Sequence, residues 1–226
     1  MKVLVIAAHP DDEVLGCGAT IARLAKEGNE VHLAILAEGI TSRYSQRADA
    51  DSSLLQKLHA MSRQAASMLG ARDLSLHGLP DNRMDTVPLL DVVKIVESLI
   101  EQISPSRVYT HHGGDLNIDH AVVSRAVLTA TRPIQGCPVK EVYLFEVPSS
   151  TEWAFQQFES TFRPNVFVDV GDTLEVKVRA MACYESEARP FPHPRSPEAL
   201  RASAQRWGSV AGCTAAEAFQ LVRAFI

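Results

Sequence analysis

The sequence predicts an α/β protein, a three-layer sandwich with a mostly parallel sheet and helices on both faces. Short apolar runs alternate with amphipathic stretches from the first residues onward. The runs are apolar throughout, as in strands covered on both faces. Their order, β-α-β-α-β-α-β-α-β, requires parallel strands joined by helical crossovers.

Val3 to Ala8 is the first such run. A helix follows, with Leu15, Ile21, Ala22, Leu24 and Ala25 facing inward, and Gly28 supplies its C-terminal stop. Val31 to Ala37 is the second strand, and a polar segment from Glu38 to Ser53 leads into a helix ending near Leu69-Gly70. Leu74 to His77 forms a short third strand. Val92, Val93, Val96, Leu99, Ile100 and Ile103 follow the helical period. Arg107 to Thr110 is the fourth strand, Val122 to Ala130 marks the next helix, and Glu141 to Val147 is the fifth strand. From Asn165 the tail reads as one more strand and then helices. No repeat or linker divides the chain, so residues 1–226 are expected to form a single domain.

The composition narrows the function. A 46% hydrophobic share can fill a core. The formal net charge of -5, with no basic stripe, argues against a nucleic-acid binder. No apolar stretch has the ~18 residues of a membrane span, and Val3 to Ala8 is too short for a signal-peptide core. Cys17, Cys137, Cys183 and Cys213 show no paired spacing, which fits a reducing, cytoplasmic setting.

In such sheets the ligand crevice lies beyond the carboxyl ends of the strands, where strand order reverses. Two loops, after the first and fourth strands, should meet there. They hold the densest His and Asp of the chain: Ala8-His9-Pro10-Asp11-Asp12-Glu13, and Thr110-His111-His112 through Asp115-Leu116-Asn117-Ile118-Asp119-His120. A hydrolytic zinc site takes three protein ligands and leaves a position for water. His9 and Asp12 can face one ion from their turn, and His120 can join them from the first turn of its helix. Asp11 is then a spare carboxylate, placed to act as general base on the water. Taken singly, Asp12 and Asn117 also read as ordinary helix N-caps.

The hexapeptide Ala8-His9-Pro10-Asp11-Asp12-Glu13 after an N-terminal strand resembles the signature of the PIG-L/LmbE-type N-acetylglucosaminyl deacetylases. The similarity extends to Asp115–His120 and to Ala215-Ala216-Glu217-Ala218-Phe219. The resemblance implies a Rossmann-like fold, zinc held by His9, Asp12 and His120, and Asp11 as base. It implies a small-molecule substrate carrying N-acetylglucosamine or a related amino sugar, and members of the family often form homo-oligomers.

One position departs from the pattern. Many members carry a histidine where this chain has Asn117, thought to stabilise the oxyanion or protonate the leaving amine. Its usual carboxylate partner, Asp119, is retained. Asn117 can donate a hydrogen bond but cannot shuttle a proton. Either Asp11 serves as base and acid, or another histidine enters, with His193 favoured over His112. Glu13 and Asp119 are expected to orient ligands. Arg43 and Arg83, on the loops after the second and third strands, are candidates for gripping substrate, with His112 beside them.

Other readings compete. Gly16-Cys17-Gly18 hints at a dinucleotide fingerprint, but seven residues separate it from the strand and the glycines fall inside a helix. A flavodoxin-like signalling or ligand-binding domain would leave His9 without a task. The same metal site acting on another amide or carbamoyl group is the remaining alternative.

Overall fold

The apolar N-terminal run forms β1 (Lys2–Ala7), and its burial explains its composition. Val3 and Val5 enter the core on one face of the sheet, Leu4 and Ile6 on the other. In the computed structural model, which describes residues 1–46, 49–158 and 160–226, β1 leads into α1 (Asp12–Lys26) and then β2 (Glu30–Ala37). There follow α2 (Ser52–Leu69), β3 (Asp73–Leu79), α3 (Leu89–Ile103), β4 (Arg107–His111), α4 (Ile118–Ala130) and β5 (Glu141–Phe145). The rest comprises β6 (Val166–Asp169), α5 (Leu174–Ala182), α6 (Pro197–Ala211) and β7 (Ala216–Ala224).

The sheet order is β3-β2-β1-β4-β5-β7-β6. β1 to β5 are parallel, and β7 runs antiparallel to both its neighbours. Helices α1, α2, α5 and α6 pack on one face, α3 and α4 on the other. Because the chain leaves β1 for β2 on one side and returns to β4 on the other, the loops after β1 and β4 diverge and open a crevice between them.

Two features differ from expectation. The tail ends in a strand, β7, slotted between β5 and β6, where only helices were expected after the strand at Asn165. Pairing on both edges outweighs the weak strand propensity of its alanines. Helix α1 is also broken at Cys17 (φ -149°). The carboxylate of Glu217 in β7 accepts the N–H groups of Ala19 and Thr20 beyond the break, and Lys177 Nζ donates to Leu15 O before it. A Lys177–Glu217 ion pair of 2.6 Å thus binds β7 and α5 to the helix that follows the first loop. Among the described residues no helix is long and apolar enough to cross a membrane.

Candidate active site

The chain leaves β1 through a turn closed by its own side chains. Asp12 Oδ2 accepts the His9 N–H at 2.9 Å and faces His9 Nδ1 at 3.1 Å. Asp11 adopts a left-handed backbone, φ 108°, which a non-glycine residue keeps only when its surroundings hold it. Glu13 holds it: Oε2 accepts the Asp11 N–H at 3.1 Å, and Oε1 accepts the hydroxyl of fully buried Tyr184 at 2.6 Å. Burial raises the Glu13 carboxyl to about 7.

The loop after β4 supplies the opposing wall. Asn117 caps α4, its side chain accepting the Asp119 N–H at 2.9 Å, and this cap sets His120 one turn into the helix. His120 Nε2 lies 3.1 Å from Asp12 Oδ2 and 3.3 Å from His9 Nδ1. The three donor atoms therefore form a triangle with sides of 3.1, 3.1 and 3.3 Å. In a tetrahedral zinc site with bonds of ~2.0 Å, neighbouring donors lie ~3.3 Å apart.

The outward-facing nitrogens of the two rings support the same use. His9 Nε2 faces Asp119 Oδ2 at 3.0 Å. His120 Nδ1 lies 3.1 Å from Asp115 Oδ1, a contact too bent to count as a hydrogen bond but one that still favours a proton on Nδ1. With those protons kept and the inward ones given up, both inward nitrogens would present lone pairs toward one position beside a carboxylate, an arrangement that a cation satisfies. The donors present fit a divalent metal. Burial opposes the imidazolium of His9, but hydrogen bonds to Asp119 and Asp12 raise it to about 10. Burial likewise opposes that of His120, which Asp12 and Asp115 raise to about 9. Burial also works against the charge of Asp12, yet attraction to His120 and hydrogen bonds from both rings hold its carboxyl well below the usual range. The cluster collects positive charge.

Beneath it lies His111, fully buried and stacked on His120 with centroids 4.0 Å apart. Its Nε2 accepts the Ala8 N–H at 2.7 Å. Burial and the nearby His120 push its pKa well down, so the ring is neutral and ties the two loops together.

Asp11 stands beside the triangle and outside it. Burial pushes its carboxyl well above the usual range, against the pull of Arg195, whose Nη1 donates to Asp11 Oδ2 at 2.7 Å. These groups line a crevice of about 550 Å³, of a size that holds a small organic ligand.

Of the residues picked from sequence, His9, Asp11, Asp12, Asn117, His120 and Arg43 line the crevice. Arg43 is engaged there by Glu187 at 2.6 Å. Asp119 stands behind His9, also accepting the N–H groups of Asn82 and Met84. The other three lie elsewhere. Arg83 is exposed and away from the wall. His112 is buried against Phe162 and donates from Nε2 to Ser160 O at 2.6 Å. His193 packs its edge on Trp153 outside the wall.

Sequence reasoning missed Asp115 and Arg195 as site residues. Asp115 had a signal, since it opens the same hexapeptide that His120 closes. Its carboxylate is held by the Ser150 and Thr151 hydroxyls. Arg195 had no signal beyond its nearness to His193.

The chain is similar to known proteins in both sequence and fold. The chain is 30% identical to the uncharacterized deacetylase YaiS of Escherichia coli K12, over 81% of this chain and 90% of the relative. It is 26% identical to the diacetylchitobiose deacetylase of Thermococcus kodakarensis, over 82% of this chain and 70% of the relative. The fold matches the N,N'-diacetylchitobiose deacetylase of Pyrococcus horikoshii with a TM-score of 0.78 at 21% identity, covering 98% of this chain and 84% of that one. Residues 4–131, which carry the loops after β1 and β4, match the profile of the PIG-L family, described as GlcNAc-PI de-N-acetylase. The chain belongs to the PIG-L family of de-N-acetylases.

Proposed function

We propose that the protein is a zinc-dependent N-deacetylase that removes the acetyl group from an N-acetylglucosamine-type amino sugar or a small-molecule conjugate of one. The observation that carries the reading is the triangle of His9, Asp12 and His120 with a separate carboxylate, Asp11, at its side in an open crevice. Family membership and the named activities of the relatives support it.

His9 through Nδ1, Asp12 through Oδ2 and His120 through Nε2 would hold the ion, which supplies Lewis acidity to a carbonyl oxygen and to a water. The protein does the rest. Arg195 occupies Asp11 Oδ2, and Oδ1 makes no hydrogen bond among the described residues, so Oδ1 is the atom that takes the proton of the attacking water. The raised pKa of Asp11 suits a base that must hold that proton. As the C–N bond breaks, Asp11 returns the proton to the sugar nitrogen and acetate leaves. With His193 outside the crevice wall, Asp11 serves in both directions. Asp119 and Asp115 fix the rings of His9 and His120 throughout.

The test is elemental analysis combined with acetate release from a panel of N-acetylamino sugars. One zinc per chain in wild type and in Asp11→Ala, loss of zinc in His120→Ala, and acetate release from wild type alone are expected. A wild-type chain that binds no transition metal, or that binds one and releases no acetate from any substrate, would overturn the reading.

A further inference from the structure

One task in this reaction still lacks a residue: a donor for the oxygen that gains charge when the acetamide carbonyl becomes tetrahedral. Asn117 is partly committed, with one of its two amide N–H groups left over. Its Oδ1 caps α4, and its Nδ2 donates to Asn82 Oδ1 at 2.9 Å. His193 lies outside the wall, and its Nδ1 accepts the backbone N–H of Arg195 at 3.1 Å.

Arg195 itself lines the crevice. Its guanidinium is fixed from several sides. Nε donates to Ser149 Oγ at 2.8 Å, Nη1 donates to Asp11 Oδ2 at 2.7 Å, and Glu187 Oε2 lies 3.6 Å from Nη1. Ser149 is held in turn, in a left-handed backbone (φ 72°) with its N–H donated to Glu152 Oε1. Nη2 makes no hydrogen bond among the described residues. A planar group with five donors, two of them anchored, is thus presented beside the base with the rest of its N–H groups uncommitted.

The segment after β5 braces the guanidinium through Ser149. The same segment holds Asp115 through Ser150 and Thr151. One loop therefore positions both the group behind His120 and the group beside Asp11.

We propose that Arg195 is a catalytic residue: its guanidinium donates to the acetamide oxygen as that oxygen becomes an oxyanion, while one N–H keeps Asp11 aimed at the water. It fills the role left open where this chain carries Asn117. The proposal rests on the deacetylase reading of the site.

The experiment compares zinc-loaded wild type with Arg195→Ala and Arg195→Lys in three measurements. Zinc content and melting temperature report on whether the variants keep the site. Steady-state acetate release from an N-acetylamino sugar should show kcat reduced about 100-fold or more in Arg195→Ala. KM should change by less than about threefold, the pattern expected when an interaction made only in the transition state is lost. Added guanidinium should restore part of that kcat, and Arg195→Lys should fall between the two. Calorimetric titration with acetate, whose two oxygens mimic the departing group, should show binding at least about tenfold weaker in Arg195→Ala.

A kcat within threefold of wild type overturns the proposal. So does a fall that guanidinium does not relieve, or acetate binding equal to wild type. Failure of wild type to release acetate would sink the deacetylase reading on its own, and the acetate titration would still decide the role of Arg195. If Arg195→Ala does not fold, Arg195→Lys carries the same comparison: wild-type kcat and wild-type acetate affinity together overturn the proposal.

Discussion

Asp115 Oδ1 lies 3.1 Å from Nδ1 of His120, on the side of the ring facing away from Asp12. The carboxylate is held by Ser150 and Thr151 and by the Asn117 N–H. Burial works against its charge, but His120 and the two hydroxyls lower it to about 2. It is therefore an anion at neutral pH, and it favours a proton on Nδ1 of His120. Asp115→Ala is expected to weaken zinc binding about 10- to 100-fold, measured by competition with a chromogenic chelator. Unchanged affinity would show that the cap at Asn117 orients His120 by itself.

Tyr184 makes the corresponding contribution to the base. Its hydroxyl donates to Glu13 Oε1, and the other oxygen of Glu13 accepts the N–H of Asp11 in its left-handed conformation. Tyr184→Phe leaves a buried carboxylate oxygen without its partner, at a cost of about 1–3 kcal/mol. In a chain of this length that lowers the melting temperature by several degrees. Zinc content should stay at wild-type level while kcat falls, because the disturbance lies on the side of Asp11. Loss of zinc with intact kcat per bound metal would place the Glu13–Tyr184 pair behind Asp12 instead.

How much of this was legible in the sequence depended on the distance over which each signal acts. The β1 run, the period of α3 and the two loops at the switch point are local patterns, and each matched an element or a wall of the crevice. Asn117 likewise declared itself as a cap, since capping depends on the next few residues. β7 did not, because Ala216–Ala224 becomes a strand through pairing with β5 and β6, not through its own propensity. Arg195 meets Asp11 across 184 positions, and nothing near Arg195 marks it as a partner. His193 stood out in the same loop for its chemistry alone, yet the backbone presents its neighbour's side chain to the crevice.

Gly16 joins the core to the metal cluster. A Cβ there would come within 2.2 Å of the Phe145 ring, and the edge of His111 packs on that ring with centroids 4.8 Å apart. Gly16→Ala must displace Phe145 in a core with no spare room, which costs about 1–3 kcal/mol. The displacement also reaches the ring beneath His120. The expected result is a lower melting temperature together with weaker zinc binding. A stability loss with unaltered zinc affinity would show that His111 is held by its bond from Ala8 and not by its packing.

The protons gathered by the cluster make a prediction about pH. Burial opposes the charged forms of His9 and His120, but their carboxylate partners raise the folded values to about 10 and about 9, above the 6.5 of an unfolded histidine. Groups raised on folding stabilise fully below their unfolded pKa, and that contribution disappears as pH climbs through the folded values. Metal-free protein should therefore lose stability steadily from about pH 6.5 to about pH 10. Zinc competes for the same inward-facing nitrogens, so binding near neutral pH must release protons. Calorimetry in buffers of different ionisation enthalpy should detect that release. Zinc-loaded protein, whose ring nitrogens are already occupied, should show a much flatter melting temperature over the same range. Parallel melting curves for the two forms would mean that the histidines do not exchange protons for metal, and would remove His9 and His120 from the candidate ligands.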